Sequence, residues 1–174
     1  MYLIIFLITI LLSLKTSWTY NNFTYLSYQE NLRIYYLIWI TILSFFLLFK
    51  VTKLFKKINF NIYQIKLLTG FSFLSMLIGS YLPYYPESNN ISSYLHVLLS
   101  LTAIISLLLI IYFLIKKIYY FDFQLFQTMI SLFFWQLFVI MMFIVMFGNI
   151  NTIIELFVIG VILFDLAKIE KSVS

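Results

Sequence analysis

The sequence contains no cysteine, a single histidine and few charged residues. Without cysteine the chain forms no disulfide, thiol nucleophile or thiolate metal site, although this absence does not identify a compartment. Charged residues make up 10% of the chain, against about a quarter in an average globular protein. Because so few polar groups cannot cover the core of a soluble domain of this length, the composition indicates a membrane protein.

Sequence motifs that identify enzymes are also missing. One histidine cannot supply H-E-x-x-H or a zinc site of several imidazoles. The chain has no G-x-x-x-x-G-K, G-x-G-x-x-G or G-x-S-x-G motif. We therefore expect no metal and no cofactor. The preferred interpretation is a non-enzymatic accessory, sensing or small transport component.

Apolar sequence is abundant, with 64% hydrophobic residues and a mean hydropathy of +1.05. Charged residues divide it into six segments, most of them near the length that a helix needs to cross a bilayer. The segments lie at about residues 2–20, 33–50, 66–83, 91–115, 123–147 and 152–167. We expect an all-α fold in which residues 1–174 form a single membrane domain, a polytopic transmembrane helix bundle of six spans.

Two parts of this assignment have a second interpretation. The first segment could be the apolar region of a signal peptide, but no Lys or Arg precedes it and no small-x-small cleavage site follows it. We expect a retained span. The fifth and sixth segments could form one kinked helix, yet the turn-forming sequence GNIN, residues 148–151, separates them.

Lysine and arginine predict the orientation, because they accumulate in cytoplasmic loops. Six spans with both the N- and C-termini cytoplasmic place nine of the eleven Lys and Arg residues on the cytoplasmic side. Five spans would place Lys168 and Lys171 outside. The six-span arrangement is therefore the better prediction.

The basic residues also indicate partners. Lys50, Lys53, Lys56 and Lys57 are candidate contacts for anionic lipids, each worth about 1 kcal/mol near a charged leaflet. Short clusters between apolar runs do not predict nucleic-acid binding. A protein partner and a homo-oligomer both stay open. Abundant Phe, Tyr, Ile, Asn and Lys indicate an AT-rich coding sequence, so we expect a plasma membrane, most simply a bacterial one.

Small residues predict which spans pack together, because they allow close approach of helices in lipid. Ser72, Ser75 and Gly79 share one face of the third span. The fourth span carries a similar stripe, which consists of Ser92, His96, Ser100, Ala103 and Ser106. We expect these two spans to form an antiparallel hairpin with His96 facing the bundle interior.

Ionisable residues inside spans are candidate functional residues. His96 and Glu155 lie at depths within one helical turn of each other, at about 1.5 Å per residue from the outer face. The sequence therefore predicts a proton-sensitive pair, with Glu87 above it. Such a site would suit a membrane enzyme or a proton-coupled transporter. The alternative is that each group separately reaches headgroups, water or a backbone carbonyl.

Two polar residues of the last spans are expected to have structural partners. Gln136 lies near the middle of the fifth span, where an amide most often bonds a neighbouring helix. Asp165 precedes Lys168 by three residues, a spacing that predicts an ion pair on one helix face.

Overall fold

A computed structural model of the protein describes residues 1–60, 62–85 and 90–173. Within these ranges the chain is all-helical, as predicted, and has no strand. The helices are α1 Tyr2–Ser13, α2 Thr24–Tyr28, α3 Glu30–Lys57, α4 Tyr63–Tyr81, α5 Ile91–Ile118, α6 Phe123–Phe147 and α7 Thr152–Ser172.

Three helices of the described chain, α3, α5 and α6, are long and apolar enough to cross a membrane. α6 is the extreme case, because only 11% of its most apolar window is buried inside the bundle. Its outer surface presents large apolar side chains, among them Phe134, Trp135, Phe138, Met141 and Val145. A surface of this kind suits lipid and supports the assignment to membrane proteins.

Polar side chains and one glycine set several helix ends. Asn90, Asp122 and Asn151 are the N-caps of α5, α6 and α7, and each accepts a hydrogen bond from a backbone N–H of the first turn. Gly148 ends α6 with a φ of 67°, a left-handed conformation that favours glycine. The turn at residues 148–151 thus separates α6 from α7.

The first predicted span, residues 2–20, is only partly helical, because α1 ends at Ser13. Two side chains bond the last carbonyl of the helix. The Thr16 hydroxyl and the Trp18 indole N–H both donate to the Ser13 carbonyl, at 2.7 and 3.0 Å. The helix therefore covers only the first part of the predicted span, Tyr2–Ser13. The short helix α2 was not predicted.

The second span is longer than its predicted range of 33–50. α3 continues to Lys57, so the first part of the basic stretch between the second and third predicted segments is helical. Apolar residues within it explain this extension, since Val51, Leu54 and Phe55 are buried against the bundle.

α4 and α5 form the hairpin that their small residues predict. A Cβ added at Gly79 would lie 3.0 Å from the Leu99 Cβ and 3.2 Å from the Ser100 amide nitrogen. The Ser72 hydroxyl donates to the Ala103 carbonyl of α5 at 3.0 Å. Close approach therefore depends on the small-residue face of each helix.

Consecutive helices from α3 to α7 contact one another. Short connections join them, so they are antiparallel neighbours. One end of the bundle brings together the N-terminal ends of α5 and α7 and the C-terminal end of α4; we call it the Glu155 end. The opposite end joins the first residues of α1 to the C-terminal ends of α3 and α7, and we call it the Glu170 end.

Candidate functional site

The segment between α1 and α2, residues 14–23, is bound to the start of α7; we call it the link. The Thr152 amide and hydroxyl both donate to the Asn21 carbonyl at 2.8 Å. The Asn151 amide donates to the Thr19 carbonyl at 3.3 Å. Polar residues at the start of α7 thus satisfy the irregular backbone of the link, which is required where backbone is removed from water.

Glu155 lies in the first turn of α7 and faces the link. Its Oε2 accepts a hydrogen bond from the Phe23 amide at 2.5 Å. No residue in the described ranges donates to its other carboxylate oxygen, and no Lys or Arg pairs with it. The carboxylate is therefore held in place through one oxygen, while its other oxygen has no donor among the described residues.

Glu155 lines a cavity of about 90 Å³ between α2, α3, α4, α5 and α7. Apolar side chains form most of its wall. Its other polar side chains are Thr24, Tyr36, Ser80 and Ser100. A cavity that is apolar except for a few convergent polar groups is typical of a small-ligand site.

Aromatic rings form one wall of this cavity. Phe23 and Trp39 lie with ring centroids 4.9 Å apart, and Tyr36 lies 5.9 Å from Trp39. The Trp39 indole N–H donates to the Thr9 hydroxyl of α1 at 3.0 Å, which fixes the ring. Aromatic faces attract cations, so this wall and the Glu155 carboxylate favour the same class of ligand.

His96 lies near the start of α5 with 1% of its surface exposed. Its Nδ1 lies 3.2 Å from the Leu82 carbonyl, and its Nε2 lies 3.2 Å from the Thr24 hydroxyl. Because a carbonyl only accepts, Nδ1 carries the proton, and a neutral ring then accepts from Thr24 through Nε2. Neither nitrogen is left for a substrate proton or a metal ion.

The predicted pair of His96 and Glu155 forms no direct contact, although both lie at the same end of the bundle. They bind successive residues instead, since Glu155 holds Phe23 and His96 holds Thr24. Glu87, the third predicted site residue, lies outside the described residues. The link that joins the two groups was missed. Its signal was the stretch from Thr16 to Thr24, where polar residues are mixed with aromatic ones at and beyond the end of the first predicted segment.

The Glu170 end contains a charge cluster. Glu170 accepts hydrogen bonds from Lys50 at 2.6 Å, from the Tyr2 hydroxyl at 2.9 Å and from Lys53 at 3.1 Å. The bond from Lys50 is the main reason that the pKa of the Glu170 carboxyl falls from 4.5 to about 2. This cluster ties α1, α3 and α7 together and has a structural role.

Two of the lysines predicted to contact anionic lipids belong to this cluster. Lys50 and Lys53 are bonded to Glu170, and Lys50 also lies 4.7 Å from the centre of the Tyr2 ring. A single carboxylate thus compensates part of the charge of the two lysines. The other two, Lys56 and Lys57, are exposed at the end of α3.

Asp165 forms a different partnership from the one predicted. Its Oδ1 accepts a hydrogen bond from Gln136 Nε2 of α6 at 3.3 Å, so the amide does bond a neighbouring helix. The expected ion pair with Lys168 is not formed, because the Lys168 ammonium points over the Phe164 ring, 5.9 Å from its centre. Asp165 is completely buried.

No three His, Asp or Glu side chains of the described chain come together as a metal site. Neither Asp165 nor Glu155 has a second carboxylate or imidazole bonded to it. No protein-family model, no curated protein and no solved structure matches the chain.

Proposed function

We propose that the chain is a multi-pass membrane protein that binds a small cation in the cavity at Glu155, as a sensing or small transport component. It carries out no catalysis. The observation that supports this most directly is the Glu155 carboxylate, which has one oxygen without a donor among the described residues and lines a cavity with one aromatic wall.

The physical reason for proposing a cation is the negative charge of Glu155, which no described Lys or Arg compensates in the cavity. An ionised carboxylate removed from water costs several kcal/mol unless a cation, a proton or hydrogen bonds compensate it. The Phe23 amide supplies one hydrogen bond. A cation in the cavity would provide the rest, and the rings of Tyr36 and Trp39 would stabilise it further.

The size of the cavity limits the ligand. A cavity of about 90 Å³ has room for a few water-sized groups. A small metal ion, ammonium or a methylated ammonium group suits it. A nucleotide or a sugar does not.

The proposal includes six spans with both termini cytoplasmic, in a plasma membrane that is most simply bacterial. Tyr2 and Glu170 meet at one end of the bundle, which supports an even number of crossings. α1 is only 12 residues long, about 18 Å, so the link completes its crossing at the Glu155 end. Hydrogen bonds from α7 allow irregular backbone at that depth.

The second candidate function, an enzyme or proton-coupled transporter that uses His96 and Glu155, has less support. Both ring nitrogens of His96 are hydrogen-bonded, and the imidazole does not line the cavity. Proton binding at Glu155 alone would be an outcome of the test below.

The test measures the thermal stability of the purified protein with Na⁺, K⁺, ammonium or tetramethylammonium at constant ionic strength. A ligand that binds only the folded state at about 100 times its Kd stabilises by about 2.7 kcal/mol. We expect at least one of these cations to raise the melting temperature of the wild type but not of Glu155→Gln. Glu30→Gln is the matched control, because Glu30 is exposed at the start of α3.

Equal responses of the wild type and Glu155→Gln to all four cations would overturn the cation proposal. If stability instead depended on pH through Glu155 alone, the site would bind a proton. Topology is tested separately by single cysteines at Ser88 and Lys56. In sealed cells an impermeant thiol reagent should label only the first, and labelling at Lys56 would overturn the orientation.

A further inference from the structure

A second polar site lies between α6 and α7, away from the Glu155 cavity. Gln136 Nε2 donates to Asp165 Oδ1 at 3.3 Å. The remaining polar atom of each side chain, Gln136 Oε1 and Asp165 Oδ2, is buried and has no hydrogen-bond partner. A buried polar atom without a partner is rare in folded proteins and requires an explanation.

These two atoms belong to the same pair of side chains. An ionised carboxylate and an amide oxygen are both acceptors, so they cannot bond each other. One proton on Asp165 Oδ2 removes the problem, because a carboxylic acid donates through one oxygen while its other oxygen accepts. An acid and an amide then form a cyclic pair with two hydrogen bonds.

No described cation forms an ion pair with Asp165. Lys168 follows Asp165 by one helical turn and is near enough for its charge to act on the carboxylate, but its ammonium lies over the Phe164 ring and does not bond Oδ2. Lys50 and Lys53 are bonded to Glu170, five residues further along α7. Asp165 itself is 0% exposed, so water does not solvate a charge there.

We propose that Asp165 binds a proton from the aqueous phase and holds it inside the bundle, as a hydrogen bond from Oδ2 to Gln136 Oε1. The site is a proton-binding site that joins α6 to α7. It does not depend on the function proposed for Glu155.

The proton matters most for α6, which has few buried contacts. The buried residues of α6 are Met129, Phe133 and Ile140. When the proton leaves, one of the two hydrogen bonds to α7 is lost and two acceptors face each other. Protonation of Asp165 therefore controls how firmly α6 is attached to the rest of the bundle.

Infrared spectroscopy of the reconstituted protein at neutral pH tests the protonation state in the wild type itself. A protonated carboxylic acid has a carbonyl stretch distinct from that of a carboxylate. We expect this band in the wild type, its loss in Asp165→Asn, and its retention in Glu155→Gln and Glu170→Gln. Absence of the band, or its persistence in Asp165→Asn, would overturn the proposal.

Stability supplies an independent readout. Asn carries its own N–H donor and preserves both hydrogen bonds, so Asp165→Asn should melt at the wild-type temperature. Asp165→Leu and Gln136→Leu should both melt at lower temperatures. A Na⁺-dependent rise in the melting temperature of the wild type that disappears in Asp165→Asn would show a metal ion in place of the proton and refute the assignment.

Discussion

The two ends of α7 place a glutamate in opposite electrostatic surroundings. At the Glu170 end the carboxylate has two lysines and a tyrosine hydroxyl within 3.1 Å. At the Glu155 end the carboxylate has one backbone amide and a cavity. A glutamate carboxylate therefore joins three helices at the Glu170 end and faces a cavity at the Glu155 end.

The difference shows why the type of residue alone does not identify a site. Glu170 and Lys50 compensate each other, and their removal is expected to affect stability. No described Lys or Arg pairs with Glu155, and its removal is expected to affect binding.

Replacing Glu170 with alanine should lower the free energy of unfolding by about 3 kcal/mol, because breaking a buried ion pair leaves a charge without a partner. The Lys50 side chain is only 10% exposed. Thermal unfolding followed by circular dichroism measures the loss. Lys171→Ala, an exposed residue of the same helix, should cost less than about 0.5 kcal/mol. Similar melting of the two variants would show that the cluster does not stabilise the bundle.

Acid should remove the Glu170 contribution without mutation. Glu170 lies beyond the proposed sixth span, 152–167, and its pKa is lowered from 4.5 to about 2. A lowered pKa means that the stabilisation is fully present above about pH 4.5 and is lost as the pH falls toward 2. The wild type should therefore lose its stability advantage over Glu170→Gln across this range. A constant difference between the two would contradict the prediction.

His96 is expected to be structural, with an intermediate effect. His96→Ala removes the contacts with Leu82 and Thr24 and leaves a space in the bundle, so it should cost about 2 kcal/mol of unfolding free energy. The neighbouring Val97 is 51% exposed, and Val97→Ala is the control. Normal stability of His96→Ala combined with loss of cation binding would instead assign the imidazole to the site.

Glu155→Gln should have the smallest effect on stability, below about 1 kcal/mol, because the amide oxygen still accepts from the Phe23 N–H. Equilibrium unfolding of Glu155→Gln beside Glu30→Gln measures it. Destabilisation as large as that of Glu170→Ala would remove the contrast between the two ends. Cation binding, measured on the same samples, should be lost only in Glu155→Gln.

Local patterns predicted much of the architecture. The hydropathy of the long segments predicted α3, α5 and α6, and GNIN at residues 148–151 predicted the break before α7. Gly79 and Ser72 predicted the face on which α4 packs against α5. Each of these signals depends on residues close together in the chain, so it can be recognised in the sequence before the fold is known.

Long-range contacts were not predictable in this way. The end of α1 at Ser13 accompanies hydrogen bonds of the link to α7, more than 100 residues later. The Lys50–Glu170 pair joins residues 120 positions apart. Lys168, three residues from Asp165, looked like the better partner in sequence, yet the amide of Gln136 on another helix is nearer in space.

A helical chain, apolar on its surface and divided near its charges, follows from composition and local spacing alone. Which charges are compensated depends on contacts between residues far apart in the sequence, and the fold creates those contacts. One helix, α7, carries three carboxylates, Glu155, Asp165 and Glu170. Packing places Glu155 beside a cavity, Asp165 beside the Gln136 amide and Glu170 beside two lysines. Their electrostatic properties differ because the energy of a charge depends on the groups that surround it in space.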